Sequence, residues 1–118
     1  GARGGTESDP EASKRAEAKA NLMALIATAP SKNVVDSAVG KAEAKLAALA
    51  AAVPPDQVKN DAVTAEIKKL KAAGVDLDTA RTLMEDPNAA SRELVTQQSK
   101  VTAAAKTFDE ANAAVEKI

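Results

Sequence analysis

Residues 35–53 read VDSAVGKAEAKLAALAAAV, and Val35, Val39, Ala42, Leu46, Leu49 and Val53 step along them by 4, 3, 4, 3 and 4. Alternating steps of three and four put these side chains on one stripe of an α-helix, whereas a half-buried strand would alternate with a period of two. The stripe is a heptad seam, which needs another helix to cover it. Ser31 or Asn33 supplies a cap before it, and Pro54, Pro55 and Asp56 break the chain after it.

The same signals recur on both sides. Toward the N-terminus, Asp9, Pro10 and Glu11 give a capping residue, a first-turn proline and an acidic first turn. They open a helix carrying Leu22, Met23, Leu25 and Ile26 toward Ala29, and Pro30 closes it. Beyond the break at Pro54, a third helix carries Val58, Val63, Ile67 and Leu70 to Gly74, where Gly74 followed by Val75 reads as a left-handed cap. Asp76 or Asp78 then caps a short helix containing Leu77, Ala80, Leu83 and Met84, which Pro87 ends or kinks. A last helix begins near Asp86 and Pro87 and repeats Leu94, Val101, Phe108 and Val115 every seven residues, with Ala104, Ala111 and Ile118 between them.

No stretch reads as a strand. The expected fold is therefore all-α: an antiparallel up-and-down helical bundle of four main helices plus one short helix. At 1.5 Å per residue the last helix is about 45 Å long against about 30 Å for each of the first three. It must then overhang the bundle or pack along the short helix as well. Displaced by 24 residues, Leu22, Leu25, Pro30, Val34, Ala38, Val39 and Leu46 fall on Leu46, Leu49, Pro54, Val58, Ala62, Val63 and Leu70. Alanine-rich helices of matched length separated by proline loops account for that shift without a duplication.

Of 118 residues 29 are alanine, so only 24 of the 53 hydrophobic residues carry a side chain larger than a methyl. Alanine favours helix and lets helix axes approach closely, but it buries little area. The helices form easily and the core is thin, which makes burial of more seam in a dimer an open route to stability. Residues 10–118 read as one domain, with residues 1–9 a disordered lead-in or a cloning remnant. The pattern stops at Ile118 without a cap, which reads as a piece of a longer protein.

Composition also removes functions. The chain has no histidine, cysteine, tryptophan or tyrosine and one aromatic residue, Phe108, so the usual nucleophile–base pairs, metal ligands and base-stacking groups are missing. We expect neither enzymatic activity nor a cofactor or metal. Charged residues make up 28 % of the chain and cancel to a net charge of −1, and no basic face forms beyond Lys68, Lys69 and Lys71, so nucleic acid is not an expected partner. The longest uninterrupted apolar run, Leu46 to Val53, falls far short of the roughly 18 residues of a membrane span. Compartment stays open, since an absence of cysteine fits several.

Individual motifs fail on their neighbours. Gly40-Lys41 lacks the upstream glycine of a phosphate-binding loop, with Val35 in its place. Asp76-Leu77-Asp78 starts like a calcium loop, but Ala80, Arg81 and Pro87 occupy the places of a ligand, the turn glycine and the closing glutamate. Asp36-Ser37 lacks the flanking glycine and leucine that mark the modified serine of acyl carrier proteins. Glu85-Asp86 and Asp109-Glu110 are adjacent pairs and cannot face each other on a helix. Asp61 to Val75 resembles the first helix of bacterial albumin-binding three-helix modules in its Asp-Ala start and its lysine-rich, Ala-Gly-hydrophobic ending. Leu77 to Asp86 has none of the aromatics such modules place next, so their function does not carry over.

Two functional expectations remain. The first is a non-enzymatic interaction domain that binds a protein partner, or a second copy as a homodimer, through an apolar helix face formed by Leu94, Val101, Phe108 and Val115, with Phe108 as anchor. Phe108 has the alternative of filling the intramolecular core. The second is peripheral membrane targeting. In an up-and-down bundle the first and third connections share one end, which would gather Lys32, Lys68, Lys69, Lys71 and Arg81 into a basic tip for anionic phospholipid. Residues 31–74 carry seven positive and five negative charges and residues 75–118 five and eight, so the charge is unevenly spread along the chain.

Overall fold

The seam is helical from Val35 through Leu49, but the helix ends at Ala51 and leaves Val53 outside it, 97 % exposed, which corrects the reading of Val53 as a seam residue. The structure, a computed structural model, describes residues 10–118. It comprises α1 (Pro10–Thr28), α2 (Lys32–Ala51), α3 (Gln57–Glu85) and α4 (Ser91–Lys117). The expectation for residues 1–9 lies outside the described residues. The fold is an all-α helical bundle, with no strand among the described residues.

Short side chains start two of the helices. Ser31 accepts a hydrogen bond from the Val34 amide at 3.2 Å, and Asp56 accepts one from the Lys59 amide at 3.0 Å, each satisfying a backbone donor that the first helical turn leaves free. The last helix starts at Ser91, later than the sequence suggests. Asp86 instead closes α3 by donating its amide to Leu83, and its carboxylate accepts from the Asn88 amide at 2.8 Å, which forms the turn around Pro87.

The short fifth helix is not a separate element. Helix α3 runs unbroken through Gly74, which does not adopt a positive φ, and Asp76 and Asp78 sit inside the helix rather than capping one. The glycine serves close packing instead of termination. A Cβ built on Gly74 would stand 3.0 Å from Val35 Cγ1, so its absence lets α2 approach α3. At 29 and 27 residues α3 and α4 match in length, and the long last helix packs along the continuous α3 without overhanging it.

Contacts across the bundle fix the chain directions. Ser91 Oγ donates to Glu11 Oε2 at 2.8 Å and Gln98 Nε2 donates to the Ala18 carbonyl at 3.1 Å, so α1 runs in the same direction as α4. Lys45 Nζ donates to the Val115 carbonyl at 2.6 Å, near the far end of α4. Arg81 Nη2 reaches the Pro30 carbonyl at 2.7 Å and Lys71 lies 3.8 Å from Glu43, which makes α2 antiparallel to α3. The short Ala29-Pro30-Ser31 link thus carries the chain onward. Helices α1 and α2 follow one another along the antiparallel α3–α4 hairpin and barely touch each other.

The outcome is a rod of 78 × 18 × 18 Å. Its radius of gyration is 19.6 Å, against about 13 to 14 Å for a compact domain of this length. Among the described residues eighteen hydrophobic ones are buried, eight of them alanines, and none of the buried residues is polar or charged. Leu22, Leu70, Leu77, Val63 and Val101 are the largest fully buried side chains, each contributing about 1.5 to 3 kcal/mol.

Candidate functional site

The seven-residue repeat of α4 faces inward. Leu94, Val101, Phe108 and Val115 are all buried, Val101 at 1 % and Phe108 at 4 % exposure, which corrects the reading of these four as an open partner or dimer face. The reason lies in the rod: α3 covers one flank of α4 along its length, while α1 and then α2 cover another. Phe108 takes the alternative role of core filler. Only its margin reaches the shallow groove of about 310 Å³ between α2 and α4, beside Val34, Lys41 and Asn112.

The basic tip is likewise not formed. Since α1 and α2 run in the same direction, the first connection lies at the middle of the rod, and Lys32, Lys71 and Arg81 surround a concavity of about 350 Å³ on the α2–α3 flank. Acidic neighbours offset these charges. Lys32 pairs with Asp36 at 3.6 Å, Lys71 with Glu43 at 3.8 Å, and Arg81 with Asp78 at 3.2 Å. Lys69 pairs with Glu66 at 3.3 Å, while Lys68 has no ion pair among the described residues. A charge-balanced flank does not make an anionic-lipid tip.

What the structure does expose is the outward ridge of α3. Each residue advances about 100° around a helix axis, so Lys68, Lys71, Ala72, Val75, Asp78, Thr79, Thr82 and Asp86 all fall within about 60° of Val75. Val75 is 63 % exposed and the other seven are exposed as well. A groove flanks the ridge on each side. Toward α2 it is the concavity floored by Val35, Val39 and Gly74. Toward α4 it is a larger one, of about 620 Å³, where Val75, Thr79, Thr82 and Leu83 face Glu93 and Gln97.

The α4-side groove is apolar on its α3 wall and acidic at its rim. Thr79 donates its hydroxyl to the Val75 carbonyl at 2.9 Å, so that polar group is already satisfied. Asp78, Asp86 and Glu93 bring three carboxylates and no lysine or arginine lines the groove. Asp86 and Glu93 have no ion pair among the described residues. Gln97 Oε1 is buried and has no hydrogen-bond partner, and an amide oxygen left so is costly unless something docks against it.

Sequence reasoning named Lys68 and Lys71 but assigned them to a bundle tip, and it missed the ridge they share with Val75, because that ridge depends on α3 continuing through Gly74. One signal was present: the net charge of α3 changes sign along its length, from Lys59, Lys68, Lys69 and Lys71 against Asp61 and Glu66 to Asp76, Asp78 and Glu85 against Arg81, with Asp86 at the cap. Among the described residues no cluster of acidic side chains could hold a metal ion, and no helix is long and apolar enough to cross a membrane. Comparisons with protein-family models, with curated proteins and with solved structures find no match. The arrangement is an exposed aliphatic crest between two grooves, one of them rimmed by carboxylates.

Proposed function

We propose that this chain is a non-enzymatic interaction module whose rod presents the outward ridge of α3, with its two flanking grooves, to a protein partner. The observation that carries the reading is Val75, an aliphatic side chain more exposed than covered at the crest between two grooves. Covering it together with Leu83 and the threonine methyls supplies an apolar centre, and the charges around it form a polar rim. A helix is the natural occupant of such a groove, because side chains three and four residues apart on it meet the ridge at matching intervals.

Site-specific photo-crosslinking tests the reading. A benzophenone amino acid at position 75 should trap a protein covalently in the producing cell, whereas one at exposed Ala113 of α4 should not. Equal trapping at both positions, or none at 75, would remove the ridge as a docking site.

A further inference from the structure

We infer that the occupant of the α3 ridge is a second copy of this chain, docked antiparallel with Val75 against Val75. The inference rests on the docking reading above and names its partner. What carries it is the symmetry of charge about Val75. Lys68 and Lys71 lie seven and four residues before it, Asp78 and Asp86 three and eleven after it, and all share its face. A two-fold axis through Val75 brings the basic half of each ridge onto the acidic half of the other, as an isologous interface requires.

The pairing can be followed residue by residue. With Val75 opposite Val75, Lys68 stands across from Thr82, Lys71 from Thr79, and Ala72 from Asp78. Each lysine is then within one helical turn of the other copy's Asp78 or Asp86. These charges are lightly held in the isolated rod. Among the described residues Lys68 and Asp86 have no ion pair, Asp78 keeps a 3.2 Å pair with Arg81 while half exposed, and Lys71 holds a 3.8 Å contact with Glu43 in which both side chains are more than half exposed. Glu93, which has no ion pair among the described residues, adds a third carboxylate to the groove beside this acidic half. The central positions are Ala72, Val75 and Thr79, small enough for two α3 helices to approach closely.

Size sets the expected strength. From Lys68 to Asp86 the ridge is about 27 Å long at 1.5 Å per residue. One helix pair of that length with its groove edges lies at the low end of specific interfaces, so the dimer forms and dissociates with concentration instead of being obligate. Because its specificity is carried by charge, it weakens as salt rises.

Sedimentation equilibrium on the purified chain, at low and at physiological salt, gives the oligomeric state. The expected result is a monomer–dimer equilibrium shifted toward monomer by salt. Two double variants then decide the geometry. Lys68→Glu with Lys71→Glu makes the ridge wholly acidic, and Asp78→Lys with Thr82→Lys makes it basic except for Asp86 at its end. Each alone should weaken self-association by about tenfold or more, and mixing the two should restore a dimer of one copy of each. Circular dichroism of each variant checks that the helices are intact, and none of the four positions is buried or caps a helix. A chain that stays monomeric at all concentrations would overturn the second copy as occupant. Crosslinks from position 75 to a different protein would then leave the docking reading standing, and their absence would remove both. A dimer indifferent to the reversals, or not restored by mixing, would place the interface on another face.

Discussion

Gly74 of α3 faces Val35 of α2 so closely that a Cβ on the glycine would lie 3.0 Å from Val35 Cγ1. Gly40 of α2 offers the contrast, since a Cβ there meets nothing within 4 Å. Both glycines are inside helices and both weaken them relative to alanine. Gly40→Ala should therefore raise unfolding stability by about 0.5 to 1 kcal/mol. Gly74→Ala gains the same propensity but forces Val35 to give way, so its net effect should be smaller by about 1 kcal/mol. Gly74→Leu should destabilise by about 1 to 3 kcal/mol. Urea unfolding of the three variants checks the order, and a Gly74→Ala gain equal to that of Gly40→Ala would mean that the α2–α3 approach does not depend on the glycine.

Lys45 joins α2 to the end of α4 by donating to the Val115 carbonyl at 2.6 Å, an oxygen that also accepts from the Ile118 amide. Carbonyls of a last helical turn lack intrahelical donors, and a cation there also complements the negative end of the helix dipole. Lys45→Met keeps the apolar stem and removes the donor, so it should cost about 0.5 to 1.5 kcal/mol. Amide hydrogen exchange should quicken in the last turn of α4 and stay unchanged in α1. Uniform quickening along the rod would show instead that Lys45 supports the whole fold through packing.

Arg81 holds the joint between α1 and α2 against α3. One guanidinium nitrogen donates to the Pro30 carbonyl at 2.7 Å and another lies 3.2 Å from Asp78. Because α1 and α2 barely touch, this clamp and the packing of α1 on α4 and α3 are what keep α1 in line with the rod. Arg81→Met should loosen α1 selectively, visible as faster amide exchange over residues 18–28 with α3 and α4 still protected. Arg81→Lys should rescue it only in part, since an ammonium lacks the planar fork that serves two acceptors at once. Full rescue by lysine would reduce the clamp to a matter of charge.

The sequence made the helices legible because each is written in a period of three and four, and the caps at Ser31 and Asp56 follow from residue type. It misled at Gly74. A glycine followed by a valine satisfies the rule for a helix end, and only Val35 on another helix reveals that the residue is small for packing. That one reading displaced the site. With a break at Gly74 the face of Val75, Thr79 and Thr82 is not continuous with Lys68 and Lys71, and the ridge cannot be drawn. The direction of α1 was hidden for a similar reason, since whether Ala29-Pro30-Ser31 reverses the chain is decided by contacts such as Gln98 with Ala18, 80 residues apart in sequence. The α4 seam was visible as apolar, but periodicity does not say whether its cover comes from the same chain.

Phe108 and Val75 provide the test that separates core from surface. Phe108 is 4 % exposed among buried alanines and valines, so Phe108→Ala should cost about 3 to 5 kcal/mol. That is a large part of the roughly 5 to 15 kcal/mol that stabilises a typical domain, and this core is already thin. Phe108→Leu keeps most of the volume and should cost less than about 1.5 kcal/mol. In urea unfolding the alanine variant should lose helix and self-association together, while the leucine variant keeps both. Val75→Glu should show the opposite dissociation, with the unfolding midpoint nearly unchanged and the dimer lost, because an exposed position tolerates a charge that an interface does not. A folded Phe108→Ala protein that had lost only its self-association would return the α4 seam to the surface and overturn the inward packing described above.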